Sequence, residues 1–256
     1  MPQHLFEKWD EVAARIERAR SLRLFLDFDG TLVAIRRSPD EVTFSRRTRQ
    51  VLDRISSHQR VTAVIVSGRR RGALRRYVRL PRVQYWGLYG WERGPMRRLP
   101  RAAVWELSRV RASLVAGLRD RRNVRGVRLE DKQMSVSLHT RGASRRAARQ
   151  AHDLLVRALR PCSHLYVLPG SHVWEVLPRE IPGKDAAIRQ AVRRLRAPFL
   201  PIYVGDDTTD EPAFALLDRG ITIKVGPGDR KTHARYWLAG PAEVRGFIER
   251  LEGVLP

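Results

Sequence analysis

The stretch LFLDFDGTLVAI at residues 24–35 places two aspartates, Asp27 and Asp29, inside an otherwise apolar run. An Asp-Gly pair between apolar runs is typical of a β-hairpin, and this alternative applies to the stretch taken alone. Residues 24–28 do not alternate cleanly, however, and they fit a fully buried strand that ends in charged residues. Open α/β sheets build their sites at the carboxyl ends of their strands. The stretch therefore favours a buried parallel strand that carries two carboxylates to a functional site.

Strand-length apolar runs alternate with amphipathic helical patterns in the first and last thirds of the chain. Strands are predicted at 22–28, 61–69, 83–90, 201–205 and 221–225. Helices are predicted at 5–20, 45–57, 183–196, from about 208, and at 241–252, with one more after the second strand. This alternation predicts an α/β fold with a parallel sheet that helices cover on both faces.

The middle of the chain has a different pattern. Helices are predicted at 102–118 and 143–159, and strands in the runs HLYVL and HVWEVL at 164–168 and 172–177. The segment 123–141 alternates polar and apolar residues, most clearly in MSVSL, which is typical of a half-exposed antiparallel strand. We therefore expect an inserted α+β domain at 94–178, between core segments 1–93 and 179–256.

Composition restricts the class of protein. Of the 256 residues 43% are apolar, which is enough for a core, and no apolar run reaches the roughly 18 residues of a membrane span. The charged N-terminus has no signal-peptide core, so a cytoplasmic protein is expected. The single cysteine, Cys162, excludes an internal disulfide framework and a Cys-rich metal site. The net charge of +23 comes mainly from arginines scattered along the chain, and it is expected to attract anionic substrates.

A second acidic cluster follows another apolar strand in PIYVGDDTTDEPAF at 201–214. Thr208 and Glu211 fit a helix capping box, and Pro212 fits the first helical turn. Capping by these residues does not explain the two adjacent aspartates before them. Two carboxylate clusters on one sheet edge repel each other without a cation, and oxygen ligands without His or Cys favour Mg²⁺. The sequence therefore predicts a Mg²⁺ site that acts on a phosphate.

Two further features fit a phosphate site. Ser67 and Gly68 follow the strand VIV at a strand-to-helix turn, where a hydroxyl and free backbone N–H groups bind anions; plain helix capping by Ser67 is compatible with this. Lys184 lies near a predicted helix start, where its charge opposes the helix dipole and suits a phosphate ligand. A solvated surface lysine is the alternative.

The motifs DFDGT, VSGR and GDDTTDE, with a lysine just inside a helix, together resemble those of the haloacid-dehalogenase superfamily of phosphotransferases. The chain is further similar to the trehalose-6-phosphate phosphatase family over about residues 20–250. The segments that carry this likeness are SGR at 67–69, GLYGWE at 87–92, LEDKQMSVSLHTR at 129–141, GSHVWEVLP at 170–178 and GDDTTDEPAF at 205–214. The resemblance implies a Rossmann-like core with a C2B-type α+β cap. It also implies hydrolysis of trehalose 6-phosphate with Mg²⁺, through an aspartyl-phosphate, in the last step of trehalose biosynthesis.

The resemblance implies a role for each motif residue. Asp27 would be the nucleophile, Asp29 the general acid and base, and Asp210 an orienter of Lys184 or of the metal's water. The phosphoryl oxygens would be held by Thr31, Ser67, Gly68 and Lys184. The Mg²⁺ ligands would be Asp27, the carbonyl of Asp29, Asp206 and, as a further acidic ligand, Asp207. The sugar-binding residues would be Glu130, Lys132 and Glu175, with Arg69 and Glu92 in the sugar pocket or the domain interface.

Two departures from the family leave the sugar open. Lys184-Asp185 replaces a common Lys-Gly, and Tyr89-Gly90 replaces a common His-Gly. A phosphatase for another sugar phosphate, of the sucrose-phosphate or mannosyl-phosphoglycerate type, is the alternative. A basic nucleic-acid-binding protein with an inactive phosphatase fold is disfavoured, because the catalytic motif residues are complete. The expected partner is a small sugar phosphate, with no specific nucleic acid and no membrane, and a monomer is expected.

Overall fold

The structure is a computed structural model that describes residues 1–36, 41–95, 97–119, 124–193, 198–228 and 231–255. The chain folds into two compact units. The core unit combines Met1–Pro95 with Pro182–Pro256, and the inserted unit is Met96–Ile181. Within the described ranges, no helix is both long and apolar enough to cross a membrane.

In the part of the core unit that the structure describes, seven strands form one sheet, and every neighbouring pair is parallel. Its strands are Gln3–His4 (β1), Leu22–Leu26 (β2), Val61–Val66 (β3), Gln84–Trp86 (β4), Leu200–Gly205 (β9), Ile221–Val225 (β10) and Tyr236–Leu238 (β11). Their order is β1-β11-β10-β9-β2-β3-β4. The chain runs outward from β2 on one side and from β9 on the other. The topological switch point therefore lies between β2 and β9, where open α/β sheets bind their ligands.

Helices cover both faces of this sheet. They are Trp9–Arg18 (α1), Arg46–Ser57 (α2), Arg71–Val78 (α3), Lys184–Arg193 (α6), Glu211–Leu216 (α7) and Pro241–Gly253 (α8). Leu24 and Leu26 of β2 belong to a buried cluster that includes residues of α1, α2, α3 and α8. Phe25, which points to the other face, belongs to a second cluster with residues of α6 and α7. The predicted α/β fold with a covered parallel sheet is confirmed.

Over residues 97–119 and 124–181, the inserted unit has one antiparallel sheet and two helices. Its strands are Arg128–Asp131 (β5), Val136–His139 (β6), Leu165–Gly170 (β7) and Val173–Pro178 (β8), in the order β5-β6-β8-β7. Its helices are Arg101–Gly117 (α4) and Arg145–Leu159 (α5). Leu138 and Val176 lie in a buried cluster with residues of both helices. One sheet face is thereby covered, and the register aligns Glu130, Ser137 and Glu175 across the other.

The strand predicted at 83–90 is too long. The sheet strand β4 covers Gln84–Trp86, Gly87 is extended, and Leu88–Gly90 forms a short 3₁₀ helix. Leu88 and Tyr89 have left-handed backbones, with φ of 45° and 58°. Two such residues in succession reverse the chain direction, which ends the strand.

Other local predictions also differ from the structure. The segment 123–141, apart from Asn123, which lies outside the described residues, forms a hairpin of β5 and β6. The antiparallel strand expected there is confirmed as β6, but Ser137 is buried, so the expected half-exposure is wrong. The helix predicted at 183–196 is described to Arg193, and its last residues lie outside the described ranges. The edge strand β1 and its neighbour β11 were not predicted, because two and three residues are too few to show a pattern.

Glu106 is an unpredicted buried carboxylate in α4, with 6% of its surface exposed. Its oxygens accept hydrogen bonds from the backbone N–H groups of Ser163 and His164 at 3.1 and 2.9 Å. These N–H groups precede β7, so Glu106 joins a helix to the sheet of the inserted unit.

Glu106→Ala is expected to destabilise the protein by about 1–3 kcal/mol, because it removes a buried carboxylate that accepts two backbone hydrogen bonds. Urea denaturation followed by circular dichroism measures the change. Asp153→Ala, which removes an exposed carboxylate from α5, is the control and should change little. Equal effects of the two substitutions would contradict a structural role for Glu106.

Candidate active site

The two acidic motifs lie side by side at the switch point. Leu26 of β2 is paired with Val204 of β9, and the N–H of Asp27 donates to the carbonyl of Val204 at 2.9 Å. Both strands run in the same direction, so Asp27 and Asp206 leave the sheet at the same edge. The predicted meeting of the two carboxylate clusters follows directly from this strand pairing.

Asp27, Asp206 and Asp210 form a compact carboxylate cluster. One oxygen from each lies within 4.8 Å of the others. Asp27 and Asp210 are buried, and Asp206 Oδ1 is a buried atom without a hydrogen-bond partner. Three converging carboxylates with an unsatisfied buried oxygen fit a hard divalent cation such as Mg²⁺.

Two motif glycines allow this close packing. Gly30 has a φ of 80°, and a Cβ atom there would overlap the carboxylate of Asp206. A Cβ atom at Gly205 would likewise overlap the carboxylate of Asp210. Glycine is required at both positions because the carboxylates fill the space of a side chain.

Lys184 lies at the centre of the cluster as the first residue of α6. It is 3% exposed, and its Nζ donates to Asp27 Oδ1 at 2.8 Å and to Asp210 Oδ1 at 2.7 Å. Asp210 Oδ1 also accepts from the hydroxyl of Tyr203 at 2.6 Å. The alternative of a solvated surface lysine is therefore wrong. Tyr203 was not predicted, because in the apolar run of β9 it reads as a core residue.

Burial and neighbouring charges shift the pKa values of Asp27, Asp206 and Lys184. Burial raises the pKa of Asp27 to about 7, although Lys184 opposes this rise. Burial, and then the charge of Asp27, raise the pKa of Asp206 well above its usual range. Burial works against the charge of Lys184, yet Asp210 and Asp27 raise its pKa well above the usual value. The lysine is therefore charged, and the raised pKa values of Asp27 and Asp206 indicate that further positive charge would stabilise their ionised forms.

Asp29 lies outside this cluster and is paired with Arg69. Arg69 Nε donates to Asp29 Oδ2 at 2.7 Å, and Nη2 donates to Oδ1 at 2.8 Å. The guanidinium lies over the rings of Phe28 and Tyr77, 5.5 and 5.3 Å from their centroids. The Asp29 side chain keeps 39% of its surface exposed, against 7% for Asp27. Arg69, expected in the sugar pocket or the domain interface, binds the second motif aspartate within the core unit.

The phosphate-loop residues lie on neighbouring strand ends of the core unit. Ser67 is buried, and its Oγ accepts from the N–H of Arg69 at 3.1 Å. Thr31 is fully buried, and its Oγ1 has no hydrogen-bond partner. Tyr89 lies against Gly68 so closely that a Cβ atom there would be 2.8 Å from the Tyr89 hydroxyl. An unpartnered buried hydroxyl beside the acidic motif suits an anionic ligand.

Asp207 and Asp210 form the capping box of the second acidic motif. Asp207 Oδ1 accepts from the N–H of Thr208 at 2.7 Å, and Asp210 Oδ2 accepts from the N–H of Asp207 at 2.9 Å. The capping box predicted for Thr208 and Glu211 is therefore wrong by one residue. Pro212 does lie in the first turn of α7, as predicted.

Glu92 is bound within the core unit. Its carboxylate accepts from Arg70 Nε and from the N–H of Arg71, both at 2.6 Å. Arg71 begins α3, so Glu92 secures the start of that helix.

The inserted unit groups its candidate sugar-binding residues on the polar sheet face. Glu175 is 2% exposed and accepts from Lys132 Nζ at 2.9 and 3.1 Å. The hydroxyls of Ser135 and Ser137 donate to Glu175 at 2.7 and 2.8 Å. These serines were not predicted as site residues, although they are the polar half of the alternation in MSVSL.

Glu130 lies beside His139 on the same sheet face, and His139 was not predicted as a site residue. Glu130 Oε2 lies 2.8 Å from His139 Nε2, and both side chains are partly exposed. The histidine lies in the segment that resembles the family, so the motif itself was the available signal.

A model of the trehalose-phosphatase family matches residues 25–242. The chain belongs to the trehalose-phosphatase family. A trehalose-phosphate phosphatase of Mycobacterium ulcerans is 34% identical over 245 residues, which cover 91% of this chain and 62% of the relative. Probable trehalose-phosphate phosphatase D of Arabidopsis thaliana is 30% identical over 262 residues, covering 94% of this chain and 70% of the relative.

Solved structures agree on the fold. The C-terminal domain of trehalose-6-phosphate phosphatase from Candida albicans has a TM-score of 0.82 and 20% identity, covering 100% of this chain and 99% of that one. As a trehalose-phosphatase family member with a haloacid-dehalogenase fold, the chain is a hydrolase that acts on phosphate esters. The predicted family and enzyme class are confirmed.

The raised pKa of Asp27 makes the stability of the metal-free protein depend on pH. Its pKa rises from 3.8 to about 7, so between these values the folded protein binds a proton that the unfolded chain releases. The stability contributed by this group is full below the unfolded pKa and is lost as the pH rises through about 7. The side chain of Asp27→Asn cannot ionise. In EDTA, the Tm of this variant minus the Tm of wild type should therefore increase by about 5 °C as the pH rises from about 5 to about 8.

Differential scanning fluorimetry in EDTA measures this difference. Asp53→Asn, which changes an exposed carboxylate, is the control and should show no such trend. A constant Tm difference between Asp27→Asn and wild type would show that Asp27 is ionised throughout.

Proposed function

We propose that the chain hydrolyses trehalose 6-phosphate to trehalose and phosphate with Mg²⁺, using Asp27 as the nucleophile. The observation that carries the proposal is the buried cluster of Asp27, Asp206 and Asp210 around Lys184, in a chain of the trehalose-phosphatase family. The relatives' names refer to trehalose phosphate, which supports this substrate.

The residues that would hold Mg²⁺ are Asp27, the carbonyl of Asp29, and Asp206. The unpartnered Oδ1 of Asp206 supports this assignment. Bound Mg²⁺ would neutralise part of the charge on the phosphoryl group. Asp207 Oδ1 accepts a hydrogen bond from the N–H of Thr208 and so caps the following turn. Its carboxylate would therefore act near the Mg²⁺ site without binding the ion directly. Asp210 orients Lys184, since its Oδ1 accepts both the Lys184 and the Tyr203 hydrogen bonds.

Two carboxylates divide the chemistry. Asp27 attacks phosphorus, the bond to the sugar oxygen breaks, and Asp29 supplies the proton that this oxygen needs. Water then attacks the aspartyl-phosphate, Asp29 takes the proton, and phosphate leaves with Asp27 restored. The greater exposure of Asp29 supports its role, because it is the carboxyl that a leaving alcohol can reach.

Lys184, Thr31, Ser67 and the backbone at Gly68 would hold the phosphoryl oxygens. Lys184 already carries a charge beside Asp27, and a cation at this position stabilises the phosphoryl transition state. The buried and unpartnered hydroxyl of Thr31 would gain a hydrogen bond when phosphate binds.

The polar face of the inserted unit would bind the sugar hydroxyls through Glu130, Lys132 and Glu175. Glu175 also fixes Lys132, since the two are joined at 2.9 Å in a nearly buried pair. Glu130 keeps a partly exposed carboxylate beside His139, which suits contact with a hydroxyl.

Phosphate release from a substrate panel tests the function. With Mg²⁺ the protein should hydrolyse trehalose 6-phosphate far faster than glucose 6-phosphate or sucrose 6-phosphate, and EDTA should abolish turnover. Asp27→Asn should lower kcat at least 10³-fold and leave the circular dichroism spectrum unchanged, because it removes the nucleophile. Asp53→Asn should retain full activity.

Three results would overturn parts of this proposal. Equal rates on glucose 6-phosphate would contradict trehalose 6-phosphate as the specific substrate. Full activity in EDTA would contradict the Mg²⁺ requirement, and substantial turnover by Asp27→Asn would contradict Asp27 as the nucleophile.

Glu130→Ala should raise KM for trehalose 6-phosphate about tenfold or more, with little change in KM for p-nitrophenyl phosphate, because only the sugar loses a hydrogen bond. Steady-state kinetics on both substrates measure the split. Asp153→Ala, which removes an exposed carboxylate from α5 of the same unit, is the control. A similar change on both substrates would exclude Glu130 from sugar binding.

A further inference from the structure

Lys224 is a buried lysine in β10 that the proposed reaction does not use. It is 5% exposed, and the register pairs it with Gly205 at the end of β9. An ammonium group in the middle of a parallel sheet is costly unless its donors are used. Its position beside the second acidic motif indicates what it is used for.

The contacts of Lys224 go to the acidic motif. Its Nζ donates to the backbone carbonyl of Asp206 at 2.7 Å and to that of Asp207 at 3.2 Å. The carboxylate of Glu211 lies 3.7 Å from the same ammonium. Glu211 is in turn held by the hydroxyl of Thr232 at 2.8 Å and the N–H of His233 at 2.9 Å.

One peptide group is thereby held at both ends. The carbonyl of Asp206 and the N–H of Asp207 belong to the same planar unit. Lys224 binds that carbonyl, and Asp210 Oδ2 binds that N–H at 2.9 Å. Hydrogen bonds at both ends hold this plane in place and restrict rotation about the Cα–C bond of Asp206, which limits the directions in which its side chain can extend.

We propose that Lys224 is a positioning residue that aims the carboxylate of Asp206 at the bound cation. The inference rests on the proposed Mg²⁺-dependent function and deepens it. Asp206 Oδ1 is the buried oxygen without a hydrogen-bond partner, so its aim determines cation affinity more than it determines folding. Lys224 acts through the backbone, because its ammonium donates to the carbonyls of Asp206 and Asp207.

The test is direct Mg²⁺ binding to the substrate-free protein by isothermal titration calorimetry. Lys224→Met keeps the length of the side chain and removes its donors and charge. We expect its Kd for Mg²⁺ to rise about 10-fold or more, as is typical when a group that orients a metal ligand is removed. KM for trehalose 6-phosphate and kcat at saturating Mg²⁺ should change about threefold at most.

Lys231→Met is the matched control. It removes the same charge from an exposed lysine in the same part of the core unit, and its Kd for Mg²⁺ should equal that of wild type. If Lys224→Met does not fold, Lys224→Gln replaces it. Its shorter amide does not reach both carbonyls, so the same rise in Kd is expected.

The outcomes separate the two hypotheses. Wild-type affinity in the Lys224 variants, with wild type itself binding Mg²⁺, would overturn the role of Lys224 and leave the proposed function intact. An equal loss of affinity in Lys231→Met would assign the effect to overall charge and also overturn the role. A wild-type protein that binds no Mg²⁺ would overturn the metal-dependent function itself.

Discussion

A single buried ammonium, that of Lys184, holds together two carboxylates that would otherwise repel each other. Its bonds to Asp27 and Asp210 link β2, α6 and the turn after β9. All three groups are buried, so removing Lys184 would leave two carboxylates without their shared positive charge in a medium of low dielectric. With Asp206 added, the cluster carries more negative than positive charge. Either protons or a cation must supply the difference, and the proposed chemistry depends on the cation.

The placement of two acidic motifs at the carboxyl ends of parallel strands could be predicted from sequence, because it depends on a short-range pattern. Apolar runs that end in Asp27 and Asp206 give both the strand and the end at which the charge lies. Asp210 was placed near Lys184 only through the family resemblance, since no spacing relates residues on different elements. Tyr203 was missed for a related reason, because a phenol in an apolar strand is usually a core residue and its hydroxyl partner lies on another element.

The capping box shows how a local pattern can fail by one residue. Thr208 and Glu211 have suitable side chains, but the backbone becomes helical one residue earlier, at the turn that Asp207 begins. Tertiary contacts determine where the capping box begins, because Asp210 also binds Lys184 from another element. A similar limit applies to Ser135 and Ser137, whose burial depends on Glu175 from a strand about 40 residues later.

The strand register of the inserted unit places the sugar-binding candidates. Glu130, Ser137 and Glu175 are direct neighbours on three strands, so a shift of one residue in any strand would turn its polar side chain toward the helices. Recognition in this unit is thus tied to the packing of the opposite face, where Leu138 and Val176 contact the helical layer.

The left-handed backbones of Leu88 and Tyr89 have a consequence for how the core unit can evolve. The N–H groups of these residues donate to the carbonyls of Arg69 and Ser67, at 2.8 and 2.9 Å, beneath the candidate phosphate loop. Non-glycine residues in this conformation cost about 1–2 kcal/mol each. A glycine at either position would relieve that cost, but it would also make the turn that supports residues 67–69 more flexible. Thermal robustness and catalytic rigidity therefore make opposing demands on this turn.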